Sequence, residues 1–149
     1  MIILAIDPGP EESAYLVFVS GAIRRHGKVS NADLSKFIRD DGRGMDQCCI
    51  EMIASYGMPV GREVFETCVW IGRFMENFGV DRCHRLTRIE IKSHLCHSAK
   101  AKDSNIRQAL IDRLGPPGTR KAPGATYGIS GDCWSALAVA VCWTDKNDT

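Results

Sequence analysis

The feature that most constrains this 149-residue chain is a short apolar run that ends in an acidic turn. Residues 2–6 read Ile-Ile-Leu-Ala-Ile, which is typical of a central strand buried on both faces of a sheet. Asp7-Pro8-Gly9-Pro10 follows at once and breaks the strand as a turn. A fold that contains this strand must cover both of its sides, and Asp7 lies at the point where the buried strand ends.

The remaining patterning predicts an α/β protein with a mixed sheet. Strands are expected at residues 14–20, 22–29, 46–53 and 80–86, and helices at residues 31–39, 61–77, 102–114 and 132–143. The first three strands follow one another closely enough to form an antiparallel meander. Residues 115–129 hold four glycines and three prolines and are expected to be a mobile loop. This order describes one domain over residues 1–149, with a mixed five-stranded sheet and helices on both faces.

Composition and cysteine usage exclude several classes of protein. The chain is 44% hydrophobic and 25% charged, as in an ordinary globular domain, and no segment approaches the ~18 unbroken apolar residues of a membrane span. The apolar start is too short for a signal peptide, so we expect the protein in the cytoplasm. The seven cysteines form no CxxC pair, which favours buried reduced thiols over a zinc site.

The formal net charge of +1 conceals an uneven distribution of charge along the chain. Residues 82–121 carry ten Lys or Arg against three Asp or Glu, whereas the segments on both sides are acidic. A basic block beside acidic ends suits a protein that binds a polyanion with one face and cations with another. A solvated charged surface is the alternative explanation of the same block.

Three carboxylates occupy informative positions in this pattern. Asp7 ends the first strand, Glu51 interrupts the apolar fourth strand, and Asp132 begins the last helix. Charged side chains inside apolar strands are rarely buried unless they are paired or bind metal. If the first and fourth strands are neighbours, Asp7 and Glu51 project toward one cleft, and Asp132 can complete it from the opposite side. Such a cluster suits Mg²⁺, and two ions suit phosphodiester hydrolysis.

Each of these carboxylates also has an ordinary structural explanation. Asp7 could serve only the turn that follows it, and Glu51 could be an exposed residue of a half-solvated strand. Asp132 could be the N-cap of the last helix. All three explanations would have to hold together, which makes a shared site the stronger interpretation.

Three segments together resemble the acidic motifs of RuvC-type Holliday-junction resolvases, and more closely the phage-encoded variants. They are Ile-Ile-Leu-Ala-Ile-Asp-Pro-Gly (2–9), Cys-Ile-Glu (49–51) and Gly-Asp-Cys-Trp-Ser-Ala-Leu-Ala-Val-Ala (131–140). The resemblance implies a ribonuclease-H-like fold, a homodimer, and Mg²⁺ or Mn²⁺ with two ions per site. It implies paired cuts across a four-way DNA junction in recombination or repair, in the host cytoplasm if the protein is phage-encoded. The three carboxylates then become catalytic residues and metal ligands by motif position.

One position departs from the family's pattern. Ser135 stands where members usually carry a second carboxylate, one turn after the first in the last helix. A serine hydroxyl is a weak, neutral ligand, so a second ion would be held loosely. One alternative that therefore stays open is a junction-binding protein whose catalysis is weakened. A second is a ribonuclease-H-like nuclease that acts on other substrates, because such nucleases share the same carboxylate chemistry.

Basic and aromatic residues outside the acidic motifs are candidates for binding DNA. Lys92, Lys100, Lys102 and Arg107 lie in the basic block. The resemblance implies that a lysine of this region, either Lys92 or Lys102, stands near the scissile phosphate. Tyr56 lies in the loop after the Glu51 strand, where the family places an aromatic side chain that stacks on a base.

The long helix also carries a second apolar set beside the stripe expected to face the sheet. Its members are Phe65, Val69, Trp70 and Phe74. We expect this set to meet the partner subunit of a two-fold symmetric dimer, unless the chain's own residues bury the helix on both sides.

Overall fold

The computed structural model describes residues 1–148 and consists of a five-stranded sheet flanked by five α-helices. The strands are β1 (Ile2–Asp7), β2 (Glu12–Val19), β3 (Ala22–Ser30), β4 (Gln47–Met52) and β5 (Cys83–Thr87). The helices are α1 (Asn31–Asp41), α2 (Arg62–Phe78), α3 (Arg88–Cys96), α4 (Asp103–Leu114) and α5 (Cys133–Asn147). Within these described residues, no helix combines the length and the apolar character that a membrane crossing requires.

The sheet is mixed, as the sequence predicts. Its strand order is β3-β2-β1-β4-β5, with β1, β2 and β3 antiparallel and β1, β4 and β5 parallel. The strand at residues 2–6 is thus the central one, and Leu4, Ala5 and Ile6 are fully buried. An uninterrupted apolar run is what a strand covered on both faces requires.

The two faces of the sheet support two separate hydrophobic cores. Ile3 and Ala5 of β1 pack with side chains of α3, α4 and α5, whereas Leu4 and Ile6 pack with those of α1 and α2. This division follows from the alternation of side chains along a strand. Odd-numbered positions of β1 therefore face α5, and this rule extends to the acidic residue that ends the strand.

The structure differs from the sequence prediction in two elements: it contains one additional helix, α3, and its strand β5 is shorter than expected. Helix α3 has a single fully buried apolar residue, Ile91, so it lacks the stripe that periodicity detects. Its local signal was the Thr87 to Glu90 capping box, which the structure forms. Residues 80–82 are a 3₁₀ turn instead of the start of β5, because Gly79 with φ +115° redirects the chain after α2.

The segment 115–129 is irregular, as expected, and it is closed on itself by hydrogen bonds. Gly118 and Pro123 form an isolated β-bridge, and the Gly124 amide donates to the Pro117 carbonyl at 2.8 Å. Gly124 lies so close to Pro116 that a Cβ there would be 1.9 Å from the Pro116 carbonyl oxygen. Only glycine fits at this crossing of the chain.

The second apolar set of α2 is divided between the core and the surface. Phe74 is fully buried, so the expectation that it faces a partner is wrong: it packs with α1 and the sheet. Trp70 is partly buried against the same core. Phe65 and Val69 are exposed, with 62% and 57% of their surface accessible, and they form the part of the set that is free to meet another chain.

Candidate active site

The parallel pairing of β1 with β4 brings two of the expected carboxylates together. The register places Ile6 opposite Ile50, so Asp7 and Glu51 follow as the next pair beyond it. Both side chains point to the α5 side of the sheet, since Asp7 shares its face with Ala5 and Glu51 shares its face with Cys49. The two carboxyl groups are close enough for Glu51 to affect the pKa of Asp7.

This proximity changes the chemistry of Asp7. Burial, the charge of Glu51 and a hydrogen bond to it, and the charge of Asp132 together raise the pKa of Asp7 from 3.8 to about 8, against a smaller opposing effect of Arg88. Asp7 therefore holds its proton more tightly than an ordinary aspartic acid does. Among the described residues, Glu51 and Asp132 each form an ion pair, whereas Asp7 forms none.

Asp132 reaches the site from the start of α5 and is held by a lysine. Its Oδ2 accepts a hydrogen bond from Lys28 Nζ at 2.7 Å, an ion pair between β3 and α5. Asp132 occupies the N-cap position of α5, but its carboxylate makes no capping hydrogen bond. The N-cap explanation therefore does not account for this residue.

Glu51 is paired with an arginine that the sequence analysis did not single out. Nη1 of Arg88, the first residue of α3, lies 3.1 Å from Glu51 Oε1 and 3.5 Å from Ser135 Oγ, and Nη2 bonds to Asp103. Only 15% of the Glu51 side chain is exposed, so it is not a solvated strand residue. The sequence signal that could have pointed to Arg88 is its position directly after Thr87, which is the capping residue at the start of α3.

A buried hydrogen-bond network supports the turn that follows Asp7. The Gly9 amide donates to Ser13 Oγ at 3.1 Å, Ser13 donates to Asn31 Oδ1 at 2.6 Å, and Asn31 Nδ2 donates to the Gly9 carbonyl at 2.9 Å. Ser30, and not Asn31, is the cap of α1, since the Ser30 hydroxyl accepts from the Asp33 amide. Asn31 instead ties the start of α1 to the acidic turn.

Two clefts meet at Asp132. The larger, of about 710 Å³, lies between the β1–β2 turn and the first turns of α2, and Asp7, Lys28 and Asp132 line it. The smaller, of about 230 Å³, lies between α4 and the start of α5 and is lined by Arg88, Arg107 and Asp132 among others. The two clefts together are called the acidic groove: Asp132 lines both and Asp7 lines the larger, whereas Glu51 is not among the lining residues of either.

The donor set suits a hard cation, although its members are not gathered around one point. Carboxylate oxygens are the ligands that Mg²⁺ and Mn²⁺ accept, and a cation beside Asp7 would offset the neighbouring carboxylate charges that help to raise its pKa. Among residues 1–148, no group of three or more His, Cys, Asp or Glu side chains is arranged to hold a metal ion. Glu51 and Asp132 are instead drawn to Arg88 and Lys28.

The expected DNA-binding residues are spread more widely than the carboxylates. Arg107 lines the smaller cleft, with its guanidinium carbon 5.6 Å from the centre of the Trp134 ring. Lys102 precedes α4, Lys92 lies within α3, and neither lines the two clefts. Lys100 is exposed between these helices.

Tyr56 lies apart from the basic residues, in the loop that follows β4. It is exposed and has a positive φ of 50°, in a turn closed by the Met58 amide and the Ser55 carbonyl at 2.9 Å. The left-handed backbone, which is uncommon for a bulky residue, holds this aromatic ring at the surface.

The mixed five-stranded sheet with helices on both faces is a ribonuclease-H-like fold. The structure is similar to that of RuvC from Thermus thermophilus, with a TM-score of 0.71 and 13% identity over 100% of this chain and 98% of that one. It is also similar to T. thermophilus RuvC in complex with a Holliday junction substrate, with a TM-score of 0.72 and 15% identity over 95% of this chain and 92% of the other. No family model and no curated protein matches the sequence.

At this level of identity, the comparison establishes the fold. The expected ribonuclease-H-like sheet is confirmed, and the resemblance of the three acidic motifs to RuvC is matched by similarity over nearly the whole chain. Closeness to the phage-encoded variants stays a prediction.

Proposed function

We propose that this protein is a metal-dependent endonuclease that resolves four-way DNA junctions. The observation that carries the proposal is the carboxyl pair of Asp7 and Glu51, with Asp132 beside it, on a fold shared with RuvC. The similarity to a RuvC bound to a Holliday junction supports branched DNA as the substrate.

Asp7, Glu51 and Asp132 are the proposed catalytic residues and the ligands of Mg²⁺ or Mn²⁺. The raised pKa of Asp7 supports this, because the charges of Glu51 and Asp132 add to the effect of burial, and a divalent cation relieves such repulsion between carboxylates. When bound, the metal would supply charge stabilisation and an activated water for phosphodiester hydrolysis. The hydrogen bonds of Ser13 and Asn31 would keep the Asp7 side chain oriented toward the cleft while a metal ion binds or leaves.

The DNA backbone is proposed to follow the groove formed by the two clefts. Arg107 contacts it beside the carboxylates, and Lys92, Lys100 and Lys102 extend the positive surface along α3 and α4. Tyr56 is placed to stack on an unpaired base at the junction, because its ring is exposed at the tip of a turn.

A homodimer is proposed through α2. Phe65 and Val69 lie one turn apart on this helix and are both exposed, although they are apolar. Two copies paired through this face would present two acidic grooves related by a two-fold axis, which is the symmetry of a four-way junction.

Cleavage of a labelled synthetic four-way junction, with and without Mg²⁺, tests the proposal. We expect Asp7→Asn to lower the rate about a thousandfold or more while junction binding persists, because several kcal/mol of transition-state stabilisation depend on the metal. Asp40→Asn is the matched control, since Asp40 is exposed on α1, on the opposite side of the sheet. Equal cleavage by the Asp7→Asn variant and the parent would show that the assignment is wrong.

A junction-binding protein with weakened catalysis is the second candidate, favoured by the contact of Ser135 with Arg88. The Ser135→Asp variant, assayed with Mn²⁺, separates the two. Cleavage by neither form on any branched substrate would favour the binding protein. A panel of flaps, RNA–DNA hybrids and linear duplex separates junction resolution from other ribonuclease-H-like activities.

A further inference from the structure

The guanidinium of Arg88 lies inside the acidic site instead of at its rim. It contacts Glu51 and Ser135 with one nitrogen and Asp103 with the other, and 29% of its side chain is exposed. It is therefore a fixed positive charge next to a proposed metal ligand, and it still faces the smaller cleft.

The position of Arg88 in its helix is electrostatically unfavourable. It is the first residue of α3, where the helix dipole presents its positive end and acidic residues are stabilising. Glu51 and Asp103 offset this cost, and both belong to other elements of the fold. This placement indicates that the positive charge of Arg88 interacts with Glu51 and with the acidic groove and does not stabilise α3.

The two sides of Glu51 differ in charge. On one side lies Asp7, which forms no ion pair among the residues that the structure describes, with Asp132 beyond it bound to Lys28. On the other side lies the neutral hydroxyl of Ser135, and the nearby carboxylate of Asp103 is already bound to Arg88. The carboxyl group without a cationic partner of its own thus lies on the Asp7 side.

We propose that Arg88 takes the place of a second metal ion. The site then binds a single divalent cation among Asp7, Glu51 and Asp132, and Arg88 supplies the second positive charge toward the DNA phosphate. A guanidinium has five N–H donors in a planar fork, so Arg88 can keep Glu51 and still donate to a phosphate oxygen. This inference rests on the proposed nuclease function and differs from the two ions that the family resemblance implies.

Titration of the protein with Mn²⁺ alone, followed by the electron paramagnetic resonance signal of the free ion, measures the stoichiometry without reference to activity. We expect one Mn²⁺ per chain for the parent and two for the double variant Arg88→Ala with Ser135→Asp, which replaces the internal cation by a ligand. The matched control is Arg107→Ala with Ser135→Asp, because Arg107 lines the same cleft and no hydrogen bond to Glu51 is found for it among the described residues. The control should keep one ion.

Two Mn²⁺ ions or none on the parent, or a single ion on the Arg88→Ala/Ser135→Asp variant, would overturn the inference. Thermal melting by circular dichroism shows whether each variant is folded. If the double variant is unfolded, the number of Mn²⁺ ions bound by the parent alone tests the inference. In junction cleavage we expect Arg88→Ala to lose about 10²–10³-fold in rate and Arg88→Lys to recover part of it. If the parent binds one ion but cuts no junction, the proposed nuclease function is wrong and the single-ion inference still holds. If the parent cuts junctions with two ions bound, the nuclease function holds and the single-ion inference is wrong.

Discussion

Lys28 in β3 and Asp132 at the start of α5 form an ion pair, with Nζ 2.7 Å from Oδ2, across the larger cleft. The hydrogen bond to Asp132 and its charge raise the pKa of Lys28, so the lysine stays protonated at neutral pH. Asp132 is thereby held toward β3 and not toward Glu51. In this arrangement Lys28 competes with the proposed cation for one of its ligands.

Removal of this lysine should strengthen metal binding in the absence of DNA. We expect Lys28→Ala to increase the affinity for Mn²⁺ several-fold, because Asp132 becomes free to turn toward Asp7, with little change in melting temperature since the pair is exposed. Isothermal titration calorimetry measures the affinity, and Lys36→Ala, an exposed lysine of α1, is the control. An unchanged affinity in Lys28→Ala would show that the ion pair does not compete with metal.

The raised pKa of Asp7 makes the stability of the metal-free protein depend on pH. Its pKa is 3.8 as an ordinary group and about 8 in the folded protein, so the folded state binds this proton more tightly than the unfolded chain does. The resulting stabilisation is fully present below pH 3.8 and is lost as the pH rises toward about 8. We expect Asp7→Asn to lose less melting temperature over this interval than the parent does, because its amide does not titrate.

Saturating Mg²⁺ should reduce the same pH dependence in the parent, since a cation bound at Asp7 displaces the proton of this residue. Differential scanning calorimetry across this pH range, with and without Mg²⁺, provides the measurement. Parallel curves for the parent and Asp7→Asn would contradict the assigned pKa.

Asn31 and Ser30 are neighbours with different roles, so their variants should separate stability from activity. Asn31→Ala leaves Ser13 Oγ and the Gly9 carbonyl without their partner, and we expect it to cost about 1–3 kcal/mol of unfolding free energy and also to slow cleavage. Ser30→Ala removes the cap of α1, and we expect it to cost about 0.5–2 kcal/mol with cleavage unchanged. Urea denaturation and junction cleavage are the two measurements. Equal activity in both variants would mean that the turn needs no support from Asn31.

The exposed apolar face of α2 predicts the oligomeric state. We expect the parent to be a dimer in size-exclusion chromatography with light scattering, and Phe65→Lys to be a monomer, because a charge at a packed interface has no partner. Val80→Lys is the matched control, since Val80 is exposed outside α2. A monomeric parent, or dissociation of Val80→Lys alone, would refute the proposed interface.

Much of the fold is predictable because alternation and amphipathic stripes are local properties. The apolar run at residues 2–6 predicts the central strand, and α2 and α5 are found within one to four residues of their expected ends. Helix α3 was missed, since it buries only Ile91 fully and so lacks a stripe. Phe74 and Phe65 both read as apolar residues of one helix, and only the packing of α2 on the sheet distinguishes the buried one from the exposed one.

The sequence by itself determined which carboxylates are unusual, because a charge at the end of β1 or within β4 violates a pattern that is visible along the chain. Only the tertiary structure decided their partners. Arg88 meets Glu51 across 37 positions and Lys28 meets Asp132 across 104, through pairings set by sheet register and by the packing of α3 and α5. The physical reason is that an ion pair depends on distance in space, and no local periodicity encodes the distance between segments that only the sheet brings together.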